Sequence, residues 1–450
     1  MAIKQMTAGD PAKLIFFFTM PLIAGNIVQQ LYGFVDTLLV GRFLGVQALA
    51  SVGCAMALMF LCVSMVIGLT SGMTIYTGQM FGATRYERVH KSVAACIVMG
   101  MIIAIILGGL GYFYCRDILE YMDTPADVID GAVAFIEVFF ATLPLGMMFI
   151  LGTQLIRALG DSKAPTIIFS ITLGINILLE PVYMLWFGWG IPGAAWATVT
   201  CQFVGLIMVV YYIWKKIPLL HVRKSDWELN WYFMYMHIRL ALPMAFQSSV
   251  IALGIFFVQV ALNKLGPAAV ASFAAAMRVD SIAMMPMMSF GIAMAAYTAQ
   301  NYGAQDFDRI REGVRKCIYM SVAFSILVGI FNAFCGIWIM EAFVGADAVE
   351  VIEYGDIYLL INGSTYWILA LLFIYRYTLQ GVGQTIVPTI AGIMELIMRA
   401  GASIYLANIW GYTGVCFANP LAWLGSCVPL AIAYYATVYK RKNPGTPLVE

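Results

Sequence analysis

Apolar runs of about 20 residues or more alternate with short polar connections along almost the whole chain. A helix of about 20 apolar residues is long enough to cross the hydrocarbon core of a bilayer. The runs, which we number as spans 1 to 12, lie near residues 14–40, 49–76, 92–115, 131–157, 165–187, 193–214, 237–262, 269–298, 317–340, 357–379, 386–408 and 413–439. This pattern predicts an all-α integral membrane protein with twelve transmembrane helices.

Composition agrees with this class and excludes several functions. Of the 450 residues, 62% are hydrophobic and 11% are charged, against about 25% charged in a soluble domain. The net charge of +1 and the dispersed basic residues argue against a nucleic-acid partner. The nine cysteines have no CxxC spacing, so we expect neither disulfide bonds nor a metal cluster. Because HExxH and GxSxG motifs are absent, we expect no enzyme activity and no cofactor.

The charges of the connections alternate between two sets. The connections after spans 1, 3, 5, 7, 9 and 11 hold only three basic residues, Arg42, Arg116 and Lys264, and two of them are acidic. Four of the other connections and the C-terminal tail are basic, with Arg85, Arg88, Lys91, Lys163, Lys215, Lys216, Arg223, Lys224, Arg309, Arg311, Arg315, Lys316, Lys440, Arg441 and Lys442. The positive-inside rule places the basic set in the cytoplasm. Both termini of this multi-pass protein are therefore predicted to be cytoplasmic.

The chain also repeats itself with an offset of 221 to 223 residues. YTGQMFGA at 76–83 recurs as YTAQNYGA at 297–304, and Pro21 has its counterpart in Pro243. Each repeat holds six spans, so the halves should share one orientation and be related by an axis along the membrane normal. We predict two pseudo-symmetric six-helix lobes: an N-terminal lobe at 1–220, a cytoplasmic linker at 221–236 and a C-terminal lobe at 237–450.

Four oxygen-bearing side chains of the first half lie at a similar depth. They are Asp36 in span 1, Asn176 and Glu180 one turn apart in span 5, and Thr198 in span 6. A carboxylate in hydrocarbon is costly and is found mainly where it faces a cavity, a partner or an ion. Such oxygens are ligands for Na⁺, and a desolvated carboxyl group can instead carry H⁺. The sequence leaves both ions open, and also the alternative that Asp36 and Glu180 are structural.

Ionisable residues of the second half occur with both signs. Arg278 and Asp280 lie in span 8, and Glu395 and Arg399 are spaced i, i+4 in span 11. Because opposite charges can neutralise one another there, a structural polar network is favoured over a substrate or coupling site. Gln247, Asn362 and Tyr366 are further polar lining candidates.

Several segments together resemble the multidrug and toxic compound extrusion (MATE) family, in a bacterial branch. They are PLIAGNIVQQLYGFVDTLLVGRFLG from Pro21, YTGQMFGA, NILLEP followed by GIPGAAWAT, and FAAAMRVDSIAMMPMMSFGIAMAAYTAQNYGA. The resemblance implies two six-helix lobes that alternate between inward-open and outward-open states and exchange Na⁺ or H⁺ for cationic amphipathic compounds. The bacterial branch implies that the protein lies in a bacterial inner membrane.

The resemblance also assigns roles to residues of the first half. It implies cation coupling at Asp36, Asn176, Glu180 and Thr198, and a helix bend at Pro21, whose role in gating is a hypothesis. This chain departs from the family at Glu180, where Asp is common, and at Gln247, where some members carry an acid. The longer Glu180 puts Na⁺ coupling in question, and the neutral Gln247 favours coupling in the first half.

We therefore expect a secondary active antiporter that exports cationic amphipathic drugs or toxic organic compounds in exchange for H⁺ or Na⁺. Its expected partners are the lipid bilayer and small hydrophobic cationic substrates, and we expect a monomer. Two alternatives remain open: a flippase for a lipid-linked precursor, and an exporter of a narrow endogenous metabolite.

Overall fold

The computed structural model describes residues 5–227, 230–345 and 347–441, which form helices joined by short turns. Two residues of the predicted linker, 228 and 229, and the tail residue Lys442 lie outside this range. The helices are α1 Pro11–Leu44, α2 Val46–Gly82, α3 Tyr86–Tyr121, α4 Ile129–Ala141, α5 Leu143–Ala158, α6 Lys163–Pro181, α7 Gly190–Lys216, α8 Trp231–Asn263, α9 Pro267–Gly303, α10 Phe307–Val344, α11 Val349–Gly381, α12 Ile386–Cys416 and α13 Ala418–Tyr434. One π-helical turn follows α6 and another follows α13.

The helices confirm the twelve-helix membrane fold. Ten helical segments of the described chain are long and apolar enough to cross a bilayer, and the bent pair of α4 and α5 makes an eleventh. Helix α8, with 33 residues, corresponds to span 7 and completes the twelve. Span 4 was predicted as one run, but α4 and α5 meet at 55°. Pro144 in the first turn of α5 explains the bend, because it cannot donate a backbone hydrogen bond to the preceding turn.

The internal repeat is visible in the backbone. Left-handed φ angles recur at an offset of 221 to 223 residues, at Gly45 and Gly266, Thr84 and Gln305, Asp123 and Gly345, Gly160 and Gly383, and Gly190 and Gly411. Gly411 interrupts α12 with φ 58° and ψ −133°, at the point that separates spans 11 and 12. Turns at equivalent places therefore separate equivalent helices in the two halves.

The chain forms two compact units whose boundaries cut through α1 and α8. The first unit contains Met20–Ala245, and the second contains Met6–Thr19 together with the chain from Phe246. The boundaries fall beside Pro21 and Pro243, which both lie inside continuous helices. Residues 237–245 therefore pack with the first unit. The sequence analysis had placed the start of the C-terminal lobe at residue 237. The predicted lobe division itself stays a prediction.

Small residues allow close helix packing in the first unit. A Cβ atom on Gly68 would lie 2.7 Å from Cα of Ala245, and one on Gly72 would lie 2.5 Å from Cα of Ala241. Glycines four residues apart on one helix face permit such backbone approach in membrane proteins. This contact fixes the N-terminal part of α8 against α2.

Candidate cation site

Three helices of the first unit bring their polar side chains together. Helix α1 contributes Asp36, α6 contributes Asn176 and Glu180, and α7 contributes Thr198. Asp36 is 5% exposed, and Asn176 and Glu180 are completely buried. The structure therefore gathers the four residues selected from the sequence by their depth.

The two carboxyl groups form the centre of this cluster. Asp36 and Glu180 face each other within hydrogen-bonding reach. Neither oxygen of Glu180 accepts a hydrogen bond from a donor among the described residues. Two carboxylates repel, and a bond forms between them only when one of them carries a proton. The pair therefore needs a proton or another cation between its oxygens.

Neutral polar groups lie near the pair. The hydroxyl groups of Tyr32 and Thr198 are hydrogen-bonded at 2.7 Å, and the Cys201 thiol lies beside Asn176. The amide of Asn176 is buried, and neither its nitrogen nor its oxygen has a hydrogen-bond partner in the described part of the chain. Buried polar atoms are nearly always bonded. The free amide oxygen is therefore available to a bound ion.

Sequence reasoning missed Tyr32. It lies one helical turn before Asp36 on α1, and its hydroxyl group reaches Thr198 on α7. The i, i+4 spacing to Asp36 was a usable signal. Tyrosine is nevertheless common in membrane helices, so the spacing does not separate it from the other aromatic residues.

The ligand types at this site suit either coupling ion. In the described residues no group of three or more His, Cys, Asp or Glu side chains converges. Na⁺ would thus need neutral oxygens, such as those of Asn176 and Thr198, in addition to the carboxylates. A proton would need only Asp36 and Glu180.

The second unit has a different polar cluster, which contains both acidic and basic side chains. Glu395 accepts hydrogen bonds from Arg376 Nη2 at 2.6 Å and from Arg399 Nη2 at 2.8 Å. Asp280 accepts hydrogen bonds from the hydroxyl groups of Tyr358 at 3.0 Å and Tyr366 at 2.5 Å. All these side chains are buried.

Some residues selected from the sequence lie elsewhere. The side chain of Arg278 is exposed, and Arg278 does not join Asp280, Glu395 and Arg399. Arg376, which lies near the end of span 10 and was not among the predicted residues, pairs with Glu395 instead. Gln247 donates to the carbonyl oxygen of Pro388 at 2.7 Å, and Asn362 donates to that of Tyr358 at 3.0 Å.

Pro21 lies within α1, below the cluster. Its carbonyl oxygen accepts a hydrogen bond from Thr166 Oγ1 at 2.8 Å. A proline inside a helix removes one backbone hydrogen bond and weakens the helix locally. The gating role of Pro21 stays a prediction.

Comparison with known proteins identifies the family. The MatE family profile matches twice, at residues 21–182 and 243–403, which follow the repeat described above. The chain belongs to the MATE family. It is 30% identical over 447 residues to the probable multidrug resistance protein YoeA of Bacillus subtilis, covering 95% of this chain and 94% of YoeA. Family membership makes it a transporter, not an enzyme.

Two further similarities have lower sequence identity. The FAD transporter of Shewanella oneidensis is 22% identical, with 91% of each chain covered. The fold matches a multidrug resistance MATE family transporter of the MOP superfamily solved in an outward-facing conformation, with a TM-score of 0.90 and 20% identity, over 97% of this chain and 98% of the other. The two-lobed, twelve-helix MATE fold is thus shown for this multi-pass membrane protein.

Proposed function

We propose that the protein is an antiporter that exports cationic amphipathic drugs or toxic organic compounds in exchange for H⁺ or Na⁺. The observation that carries the proposal is the carboxylate pair of Asp36 and Glu180, which is buried and has no Lys or Arg partner among the described residues. An uncompensated buried pair favours binding of an external cation. The multidrug resistance relatives support the substrate class.

In this mechanism, an ion entering from outside binds between Asp36 and Glu180. Binding removes the repulsion of the two carboxylates and changes the relative stability of the inward-open and outward-open states. A ligand shifts such an equilibrium only by its difference in affinity for the two states. The ion therefore has to bind more tightly to the state that releases the substrate outside. Substrate binding has to favour the opposite state.

The location follows from the same proposal. The bacterial relatives support a location in the inner membrane. The loop charges support an orientation with both termini in the cytoplasm. No cofactor takes part besides the coupling ion, and a monomer is sufficient because the carboxylate pair lies within one unit of one chain.

The test is efflux of a fluorescent lipophilic cation from proteoliposomes, with a Na⁺ gradient and a proton gradient imposed separately. Wild type should respond to at least one gradient. Asp36→Asn should abolish gradient-driven efflux, since the neutral amide cannot hold the proton or balance the cation. Asp117→Asn, on an exposed position of α3, is the matched control and should transport like wild type. Undiminished efflux by Asp36→Asn would overturn the assignment.

A second candidate is export of one endogenous metabolite, and the similarity to an FAD transporter favours it. If neither gradient moves any dye, efflux of loaded flavin nucleotide from the same liposomes becomes the deciding assay. A flippase for lipid-linked precursors is the remaining alternative. The buried pair of Arg376 and Arg399 gives it little support, because Glu395 bonds both guanidinium groups.

A further inference from the structure

The repeat relates each residue of the cation site to a position in the second unit. With the offset of 222 that links Pro21 to Pro243, Asp36 corresponds to Val258 and Tyr32 to Gly254. With the offset of 223 that links Gly160 to Gly383, Asn176 corresponds to Arg399 and Glu180 to Ser403. Neither carboxylate recurs. An arginine stands at the position of the amide.

The guanidinium group of Arg399 lies beside Gly254, which is the repeat counterpart of Tyr32. A Cβ atom on Gly254 would lie 2.7 Å from Nη1 of Arg399, so the head group occupies the volume that a side chain from this position would need. Its counterpart Tyr32 extends a side chain into the cluster of the first unit. Val258, the counterpart of Asp36, is apolar and 2% exposed.

Charge balance differs between the two places. In the second unit the buried acids Glu395 and Asp280 are matched by Arg376 and Arg399; Glu395 bonds both, and Asp280 interacts electrostatically with Arg399. In the first unit Asp36 and Glu180 have no such partner in the described residues. The second unit balances its acids with arginine side chains, whereas the described residues of the first unit provide no such side chain for Asp36 and Glu180.

We propose that Arg399 is a fixed counter-cation: it supplies to the acidic side chains of the second unit the positive charge that the first unit takes up as an exchangeable ion. The inference rests on the proposed cation site at Asp36 and Glu180. It explains why a guanidinium group lies against Gly254 and why Glu395, among the described residues, is paired with two arginines. It also means that the chain exchanges its coupling ion in the first unit alone.

The test removes the attached cation and offers a free one. Purified Arg399→Ala should melt several degrees below wild type in detergent, since Glu395 loses one of its two guanidinium partners and Asp280 loses a positive charge with which it interacts. Methylguanidinium at millimolar concentration should restore the melting temperature with saturation, because it fits the vacated space and charge. Wild type should show no such increase. An Arg399→Ala protein that melts like wild type, or that methylguanidinium does not stabilise, would overturn the proposal.

A second pair of variants covers the case in which Arg399→Ala does not fold. Arg399→Met keeps most of the side-chain volume and loses the charge, so it should be destabilised, whereas Arg399→Lys should retain most of the stability. Adding Asp280→Asn to Arg399→Met removes one charge of each sign and should recover most of the loss. No recovery would contradict the role of Arg399 as a counter-cation. These assays do not involve Asp36, so they remain informative if the efflux experiment fails.

Discussion

Glu180 is the residue whose length should decide the coupling ion. Its oxygens lie opposite Asp36 without a described donor. Glu180→Asp withdraws the carboxylate by one methylene, about 1.5 Å, which separates the pair beyond a shared proton and leaves room for a larger ion. We expect the ratio of Na⁺-driven to proton-driven efflux to rise in the proteoliposome assay. Glu180→Gln should lose both, and an unchanged ratio in Glu180→Asp would show that the length of this side chain does not select the ion.

Asp10, just before α1, supplies a prediction on pH. Hydrogen bonds from Lys316 at 3.1 Å and from the Ala12 amide at 2.9 Å hold the pKa of the Asp10 carboxyl below its ordinary value. A lowered folded-state pKa stabilises the contact above the ordinary pKa, and the contribution is lost as pH falls through the folded value. Asp10 therefore stays ionised between about pH 8 and pH 5, and the protection of residues 6–10 against hydrogen exchange should not fall over this range.

Asp10→Asn should raise that exchange at neutral pH, because the asparagine carries no charge for Lys316. Glu312→Gln is the matched control: Glu312 pairs with the same Lys316 at 2.7 Å but does not hold the N-terminal segment. If both variants exchange like wild type, the contact of Asp10 contributes nothing to the attachment of this segment.

At the scale of single residues, the sequence indicated which side chains are unusual in a membrane span. It did not indicate which other side chains they contact. Asp36 and Glu180 stood out because acids are rare in apolar spans, and depth along each helix was sufficient to group them with Asn176 and Thr198. Arg376 was overlooked near a span end, and Arg278 was included although its side chain is exposed. The direction of a side chain around its helix depends on neighbouring helices, which the spans alone do not specify.

At the scale of elements, the contact of α2 with α8 can be tested with one glycine. Gly72→Ala places a methyl group 2.5 Å from Cα of Ala241, so the helices must separate. Overpacking of this kind costs about 1 to 3 kcal/mol. We expect a lower midpoint of thermal unfolding in detergent. Gly53→Ala, on the same helix with no atom within 4 Å, should lose no stability. Equal effects of the two changes would mean that helix propensity, and not packing, decides the result.

Hydropathy was sufficient to predict which segments are helices. It did not predict where a helix bends or which helices are divided between the two units. Apolar length identifies a span, and twelve spans were found. The 55° break between α4 and α5 depends on Pro144 within an otherwise apolar run. The division of α1 and α8 between two units depends on tertiary contacts, so no local pattern announces it.

At the scale of the whole molecule, the loop charges predict one orientation in the membrane, which reporter fusions can test. Loop charges predict that the turn at Asp123 faces outward and the turn at Gln305 faces the cytoplasm. Alkaline phosphatase fused after Asp123 should be active, and a fluorescent protein fused after Gln305 should fluoresce. Exchanging the two reporters should give inactive proteins. Activity of phosphatase at both positions would show that the number of spans between them is not odd.

The repeat made the global architecture predictable. Two halves of six helices each follow from the offset of 221 to 223 residues, and the family profile matches each half once. The two clusters differ in chemistry: the first contains two acids without an arginine partner among the described residues, and the second contains arginines paired with an acid. This difference could be predicted only in part from the sequence. Glu395 is paired with Arg376 as well as with Arg399, and Arg376 is absent from the sequence prediction.

Sharing of α1 between the units has a consequence for synthesis on the ribosome. The amide of Met6 donates to Gln300 Oε1, which lies 294 residues later in the chain. Translation proceeds at about 5 to 20 residues per second, so the N-terminal segment waits roughly 15 to 60 s for its binding site to emerge. During that interval the buried Met6 side chain and the beginning of α1 have no native partner. The first residues to be made are among the last to reach their final place.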